Sequence, residues 1–226
     1  MSTFFITGSN RGIGLVLAQK ALKEGHKVYC ATRNPDGARD LWEMESDYEN
    51  CRVVNLDVTA DKFDTSFLKE GEPIDFLINN AGILHAFGDD LSAMKMADIE
   101  KAFSVNTLGP MKVTKHLLPY LKNSQNPVAA QMSSRLGSIS DNESGRGYGY
   151  RMSKAALNMF SVNLALEQRD IISVSLHPGW VKTEMGGEGA TLEVWQAVEG
   201  IYSVLTKLTL KDSGGFFNHL GETIPF

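Results

Sequence analysis

The stretch Thr7-Gly8-Ser9-Asn10-Arg11-Gly12-Ile13-Gly14 decides the fold of this 226-residue chain. It follows a short apolar run, Phe4–Thr7, and precedes a helical pattern over Gly12–Glu24. Glycines there let the backbone turn tightly and admit a pyrophosphate, while the helix start offers free N–H groups to it. The spacing Gly-x-x-x-Gly-x-Gly differs from the commoner Gly-x-Gly-x-x-Gly, and a strand-to-helix turn with packing glycines is the alternative. The position after the first strand favours dinucleotide binding.

The rest of the chain alternates short β-like runs with longer helical segments. The predicted strands are Phe4–Thr7, Lys27–Thr32, Arg52–Leu56, Ile74–Asn79, Val128–Ser133 and Ile171–Leu176. The predicted helices are Gly12–Glu24, Gly37–Asp47, Lys62–Lys69, Ile99–Leu121, Tyr148–Arg169 and Leu192–Leu208. This alternation predicts an α/β protein with a doubly wound parallel sheet, a three-layer Rossmann fold. No linker or repeat divides residues 1–226, so we expect a single domain for cofactor binding and catalysis.

Unusual residues follow the predicted strands, at the edge where such sheets bind ligands. They are Gly8, Arg33, Asp57, Asn80, Ser134 and Pro178. The second strand ends Ala31-Thr32-Arg33, without the carboxylate that usually holds the ribose 2′-hydroxyl of NAD. Arg33 and Arg11 are suited to a 2′-phosphate, although either alone is also a common surface residue. The pattern favours NADP(H) over NAD(H).

Bulk properties exclude several classes of function. A net charge of -5 leaves no basic surplus for phosphates, which argues against a nucleic-acid binder. Cys30 and Cys51 lie in apolar runs and form no CxxC pair, which favours reduced core thiols over a disulfide or a metal site. No signal-peptide pattern and no apolar run of about 20 residues is present, so we expect a cytoplasmic protein without membrane contact.

Tyr150 and Lys154 are the candidate proton-handling pair. Their i, i+4 spacing puts them on one face of a predicted helix. A free tyrosine has a pKa near ~10, and a nearby ammonium favours the phenolate, so we expect Lys154 to lower the pKa of Tyr150. Such pairs are common on helix surfaces, and in isolation this one carries little weight.

The residues after the other strands strengthen this hypothesis. Ser133–Gly137 follows the fifth strand and offers a hydroxyl, Asn79–Gly82 follows the fourth, and His177–Thr183 follows the sixth. Each segment has a plain alternative, namely a polar turn, a small-residue turn and an ordinary Pro-Gly turn. Asn106 lies in the next helix, where an asparagine often bonds its own backbone.

The whole set resembles the short-chain dehydrogenase/reductase family. The motifs are Thr-Gly-x-x-x-Gly-x-Gly, Asn-Asn-Ala-Gly, Ser, Tyr-x-x-x-Lys and Pro-Gly, in that order along essentially the whole chain. Two segments are similar to those of the branch of C-factor-like and sniffer-like carbonyl reductases: Tyr-Arg-Met-Ser-Lys-Ala-Ala-Leu-Asn and His-Pro-Gly-Trp-Val-Lys-Thr-Glu-Met-Gly-Gly. The resemblance implies hydride transfer between nicotinamide and a ketone, aldehyde or quinone.

The resemblance also implies a role for each matching residue. Tyr150 is then the general acid or base, Lys154 holds the nicotinamide ribose, Ser134 orients the carbonyl, and Asn106 bends its helix and holds a relay water. Asp57 and Val58 contact the adenine, and Thr183 the carboxamide. The further cofactor contacts it implies are Gly8, Ser9, Asn10, Arg11, Gly12, Ile13, Gly14, Arg33, Asn80, Ala81, Gly82, Pro178, Gly179 and Val181.

One interval departs from the family pattern, because Ser134 and Tyr150 are a few residues further apart than usual. The extra residues fall in a polar, glycine-rich segment, Ser138–Tyr148, which we interpret as a loop. Tyr148 is a rival phenol, but no lysine follows it four residues on. Substrate specificity is expected from residues 83–94, 138–149 and 184–191, with Phe87 and Trp180 as candidate lining residues.

Two other functions remain open at this point. A dinucleotide-binding signalling protein with little turnover is the first, because the C-factor branch includes a developmental signal. An S-adenosylmethionine methyltransferase is the second, but it leaves Tyr150, Lys154 and Asn79–Gly82 unexplained. The expected partner is a small carbonyl compound, and a homodimer through the helices that begin near Ile99 and Tyr148 is plausible by resemblance.

Overall fold

A computed structural model describes residues 1–85, 87–88 and 90–226 of the chain. Its strands are β1 (Thr3–Thr7), β2 (Lys27–Thr32), β3 (Cys51–Asn55), β4 (Phe76–Asn79), β5 (Val128–Met132), β6 (Ile172–His177) and β7 (Phe216–Asn218). Its α-helices are α1 (Gly12–Lys23), α2 (Arg39–Asp47), α3 (Met96–Phe103), α4 (Gly109–Leu121), α5 (Tyr148–Glu167) and α6 (Val194–Leu205). Within the described residues, strands and helices alternate as the sequence predicts.

The seven strands form one parallel sheet in the order β3-β2-β1-β4-β5-β6-β7. Side chains alternate across β1: Phe4 and Ile6 pack with α1, α2 and α6, whereas Phe5 packs with α4 and α5 on the opposite face. The predicted three-layer Rossmann fold is therefore confirmed. The chain reverses its direction across the sheet between β1 and β4, which places a ligand cleft beyond the carboxyl ends of those strands.

Local chemistry explains where α1 ends. Gly25 adopts a left-handed conformation, with φ of 80°. The Gly25 N–H donates to the Leu22 carbonyl at 2.9 Å and the His26 N–H donates to the Ala21 carbonyl at 3.0 Å. These two bonds form a Schellman motif, in which glycine carries no Cβ penalty. The chain then enters β2 directly, as expected for a glycine after this helix.

Two predicted helices differ from the structure, and one observed strand was not predicted. Lys62–Lys69 contains turns rather than a helix, because the Asp64 carboxylate accepts the Ser66 N–H at 2.9 Å and so competes with helical bonding. Phe216–Asn218 forms a seventh strand that is too short to show periodicity in the sequence. The predicted helix over Ile99–Leu121 begins earlier, at Met96, and contains a π-helical turn at Ser104–Leu108.

Cys30 and Cys51 are both buried on neighbouring strands, and their Sγ atoms lie 3.9 Å apart in a thiol–thiol contact without a disulfide. They are the free core thiols that the sequence predicts. Among the described residues, no helix is long and apolar enough to cross a bilayer.

Candidate active site

A cleft of about 370 Å³ opens at the carboxyl ends of the strands, above the reversal between β1 and β4. Most of the predicted site residues line it: Gly8, Asn10, Arg11, Gly12, Ile13, Arg33, Asp57, Val58, Asn80, Ala81, Gly82, Tyr150, Lys154, Pro178 and Thr183. They come from α5 and from five of the six strand ends that the sequence singles out; after β5, Ser133 lines the cleft instead of the predicted Ser134. The tertiary structure therefore brings most of the scattered motifs together.

The glycine-rich turn is packed against the segment that follows β4. A Cβ on Gly8 would lie 2.9 Å from the Ala81 Cα, and one on Gly14 would collide with the Gly8 carbonyl oxygen. The Asn80 amide donates to the carbonyls of Thr7 and Gly8 at 3.0 and 3.1 Å. Close backbone contact of this kind requires glycine, and it leaves an open cradle where the turn meets the start of α1.

Not every residue of the turn faces the cleft. The Ser9 side chain is fully buried and its hydroxyl donates to the Ile6 carbonyl at 2.5 Å. Gly14 lies beneath the turn, against Asn80. Both residues shape the turn from behind, so only their backbones remain available to a ligand.

Two arginines and one aspartate surround the end of the cleft beyond β2 and β3. Arg33 lies free at the rim, whereas Arg11 forms an exposed ion pair with Glu184. Asp57 accepts hydrogen bonds from the N–H and hydroxyl of Thr59 at 2.9 and 2.7 Å, and these bonds, with Arg33 nearby, lower its pKa. The ionised Asp57 and two guanidinium groups make this end strongly polar.

Tyr150, Lys154 and Ser134 meet at the other end. A left-handed Gly147 precedes α5, and Tyr150 and Lys154 occupy successive turns of its buried face. Gly137 allows the turn after β5 to press on the Lys154 backbone, since a Cβ there would lie 2.8 Å from the Lys154 carbonyl carbon. The Ser134 hydroxyl in the same turn accepts the Leu136 N–H at 3.2 Å and lies close enough to Tyr150 to affect the pKa of the phenol.

The pKa values of this pair follow from burial. Burial raises the pKa of Tyr150, and the hydrogen bond from Ser134 offsets only part of that effect. Burial also lowers the pKa of Lys154 to about 8, while its ammonium donates to the Met132 carbonyl at 2.7 Å. The expectation that Lys154 lowers the pKa of Tyr150 is wrong for the protein's own groups, because desolvation is the larger effect. Tyr150 therefore holds its proton at neutral pH.

Asn106 supports the site from behind rather than lining the cleft. Its amide donates to the Ile83 carbonyl at 3.0 Å and to the Ser153 hydroxyl at 3.1 Å, and its oxygen accepts the Ile83 N–H at 2.9 Å. Pro110, four residues on, has no N–H to donate to the Asn106 carbonyl. This missing donor coincides with the π-helical turn and accounts for the bend expected at Asn106.

The segment after β6 closes the cleft on its remaining side. Gly179 is left-handed, with φ of 88°, and a Cβ there would collide with Leu192. Val181 is buried and bridged to Leu192, so its side chain packs in the core. The Thr183 hydroxyl accepts the Gly186 N–H at 3.1 Å, and its methyl group lies beside Gly12.

Sequence reasoning missed part of the lining. Ile83, Ser133 and Met185 fall within segments that the sequence singles out, so the missed lining residues are Thr32, Asn34, Leu56, Val105 and Met132. Most of the missed residues are next to a predicted site residue in the chain, and this adjacency is the sequence feature that could have identified them. Phe87, a candidate pocket residue, lies beside Tyr150. Trp180 is 56% exposed, and its indole N–H donates to the Gly186 carbonyl at 2.8 Å.

The cleft fits a phosphorylated dinucleotide. The open cradle, which a Cβ at Gly8 or Gly14 would disturb, adjoins the start of α1, where backbone N–H groups attract a pyrophosphate. Arg33 lines the cleft just past β2, which no carboxylate ends, so a cation is available there for a 2′-phosphate. Lys154 lines the opposite end of the cleft.

Comparisons with known proteins agree with this geometry. The family model of the short chain dehydrogenases matches residues 2–191. C-signal of Myxococcus xanthus is 42% identical over 159 residues, which cover 68% of this chain and 93% of C-signal. The NADPH-bound carbonyl reductase from chicken fatty liver superposes with a TM-score of 0.94 at 32% identity, covering 100% of this chain and 99% of the reductase. Carbonyl reductase Sniffer of D. melanogaster gives the same TM-score and identity, with 100% of both chains covered.

Proposed function

The chain belongs to the short-chain dehydrogenase/reductase family of oxidoreductases, and on that premise we propose that it is an NADP(H)-dependent carbonyl reductase. The proposed substrate is a ketone, an aldehyde or a quinone. The observation that carries the proposal is a buried, protonated Tyr150 beside Ser134 at one end of a cleft whose other end is suited to a phosphorylated dinucleotide.

Residues from five strand ends would hold the cofactor. The glycine-rich turn would bind the pyrophosphate, Arg33 and Arg11 the 2′-phosphate, and Asp57 with the Val58 backbone the adenine. The other proposed contacts are Asn80, Ala81, Gly82, Lys154, Pro178, Gly179, Val181 and Thr183. NADPH, when bound, supplies the hydride. The NADPH-bound reductase from chicken fatty liver supports this choice of cofactor.

Tyr150 is the proposed general acid. Because burial raises its pKa, the phenol holds a proton that it can donate to a carbonyl oxygen as negative charge develops there. Ser134 donates a second hydrogen bond to the same oxygen and so orients the carbonyl. General acid catalysis of this kind is typically worth ~10²–10⁴-fold in rate.

The proposal is tested with Tyr150→Phe and its matched control, Tyr148→Phe, which removes a phenol two residues away. Tyr150→Phe should lose most carbonyl-dependent NADPH oxidation, about 100-fold or more, and retain NADPH binding as measured by fluorescence titration. Tyr148→Phe should keep both. The screen uses a panel of aldehydes, ketones and quinones, and wild-type turnover in Tyr150→Phe contradicts the mechanism.

A second candidate function has a specific observation in its favour. C-signal, at 42% identity, is named as a signal rather than as an enzyme. A signalling protein with little turnover predicts NADPH binding without oxidation across the whole panel, and equal behaviour of the wild type and Tyr150→Phe. The same titration and turnover assays therefore separate the two functions.

We further propose a homodimer that forms through α4 and α5. Both helices expose large apolar side chains: Met111 on α4, and Met152, Met159 and Leu166 on α5 are between 40% and 68% exposed. Apolar faces of this kind commonly mark interfaces. The free thiols of Cys30 and Cys51 support a reducing compartment, and we propose a cytoplasmic location.

A further inference from the structure

The rings of Phe87 and Tyr150, the proposed proton donor, pack edge to face, and we call this pair the aromatic corner. The two ring centroids lie 6.0 Å apart and the ring planes are 89° to each other. Tyr150 is 8% exposed, whereas Phe87 is 42% exposed. The Tyr150 ring is therefore covered on one side by the Phe87 ring, and much of the Phe87 surface remains exposed.

The backbone of the loop before α5 is shaped for this contact. Gly147 has a φ of 58°, and a Cβ on it would lie 3.2 Å from one ring carbon of Phe87 and 3.4 Å from another. A side chain at position 147 would displace the ring. Gly145 and Arg146 are also left-handed, with φ of 61° and 58°. This turn is costly for Arg146, since left-handed backbone is unfavourable outside glycine.

Of the four charged side chains among the described residues that line the cleft, three lie away from this corner, and the Lys154 ammonium lies 5.7 Å from the Tyr150 ring centroid. Among the described residues that line the cleft, the charged side chains are Arg11, Arg33, Asp57 and Lys154. The first three lie at the adenosine end, and Lys154 is buried and bonded to the Met132 carbonyl. Phe87 borders the cleft through its contact with Tyr150, so a substrate that reaches Tyr150 past Phe87 meets an aromatic face, and the one charge close to Tyr150 is already bonded to the Met132 carbonyl.

We propose that Phe87 is a specificity-determining residue that selects uncharged, planar aryl carbonyl compounds. This inference rests on the proposed carbonyl reductase function and names its substrate class. The aryl ring of the substrate stacks on Phe87 while its carbonyl oxygen accepts the hydrogen bonds of Tyr150 and Ser134. Phe87 contributes binding and orientation, and the proton comes from Tyr150 as before.

The test compares benzaldehyde with cyclohexanecarbaldehyde, which match in size and differ in planarity. Phe87→Ala should lower the ratio of the two kcat/KM values about 3- to 10-fold, the range expected for one aromatic contact. Phe87→Leu, which keeps most of the apolar bulk, should lower the ratio in the same direction. The Kd for NADPH should stay at the wild-type value in both variants, because the site of substitution lies outside the cofactor positions.

A glycine pair supplies the matched control. Gly147→Ala adds a Cβ against the Phe87 ring and should reduce the aryl preference as the Phe87 variants do. Gly145→Ala carries the same left-handed strain, with φ of 61°, but a Cβ there meets nothing within 4 Å. Gly145→Ala should therefore keep the wild-type ratio of the two kcat/KM values. The difference between the two glycine variants then measures the effect of displacing the Phe87 ring.

The outcomes separate this inference from the proposed function. A wild-type enzyme that reduces both aldehydes, with an unchanged kcat/KM ratio in Phe87→Ala and Phe87→Leu, overturns the role of Phe87 alone. Equal effects of Gly147→Ala and Gly145→Ala likewise count against it. A wild-type protein that binds NADPH and reduces no member of the carbonyl panel overturns the proposed function, and the inference with it.

Discussion

Lys154→Met should make the protein more stable at neutral pH while abolishing its proposed activity. Lys154 is 5% exposed, and burial lowers its pKa from 10.5 to about 8. The depressed pKa means that the folded protein at pH 7 carries a buried ammonium that water would solvate better. Methionine fills a similar volume without the charge, so the substitution removes this penalty.

The magnitude follows from proton linkage. A depression of 10.5 to about 8 corresponds to about 3 kcal/mol of destabilisation at pH 7, at about 1.36 kcal/mol per pKa unit. The lost hydrogen bond to the Met132 carbonyl offsets about 1 kcal/mol. The net gain is about 2 kcal/mol, or a rise in Tm of about 4–8 °C for a domain of this size.

The sign of the pH dependence is specific. A lysine with a lowered folded pKa binds fewer protons in the folded state than in the unfolded state between pH ~8 and ~10.5, so wild-type stability gains from rising pH in that window. The penalty falls to about 1 kcal/mol near pH ~9.5, and the advantage of Lys154→Met should shrink to about zero there. Below pH ~8 the advantage should be constant.

The assay is urea denaturation of wild type and Lys154→Met at pH 7 and pH 9.5, followed by circular dichroism. Lys154→Arg is an informative control, because it keeps a charge that does not titrate in this range. A Lys154→Met protein that is less stable than wild type at pH 7, by the same amount at both pH values, would refute the claim that burial of the ammonium costs stability.

The remaining predictions concern the cleft and the exterior. Gly14→Ala should destabilise the fold by about 1–3 kcal/mol and weaken NADPH binding, because the added Cβ collides with the Gly8 carbonyl. Gly25→Ala is the control, since a Cβ at Gly25 has no atom within 4 Å. It should cost only the left-handed backbone strain, about 1–2 kcal/mol, and leave the Kd for NADPH unchanged. Glu184→Gln should tighten NADPH binding a few-fold and leave NADH binding unaltered, because it releases Arg11 from an exposed ion pair worth about 0–1 kcal/mol. Calorimetric titration of both cofactors tests this in the wild-type and the Arg11→Ala backgrounds. A gain in NADPH affinity that persists without Arg11 contradicts the prediction. Leu166→Glu should shift the proposed homodimer towards monomer in sedimentation velocity, whereas a monomeric wild type would exclude the dimer.

The sequence by itself determined the features that depend on local chemistry. Glycines that require left-handed or closely packed backbone, such as Gly8 and Gly25, are readable because no other residue serves there as cheaply. The alternation of apolar runs predicted the parallel sheet, and the rule that ligands bind at strand ends placed Arg33, Asn80 and Pro178 at one cleft. The structure confirms the fold and the meeting of these residues.

Only the tertiary structure decided what depends on distant neighbours. Burial, which no local pattern measures, raised the pKa of Tyr150 against the expected effect of Lys154. Phe87 and Gly147 meet at the proton donor although 60 residues separate them in the chain. Desolvation and packing are sums over residues that come together only on folding, and the chemistry of this cleft rests on them.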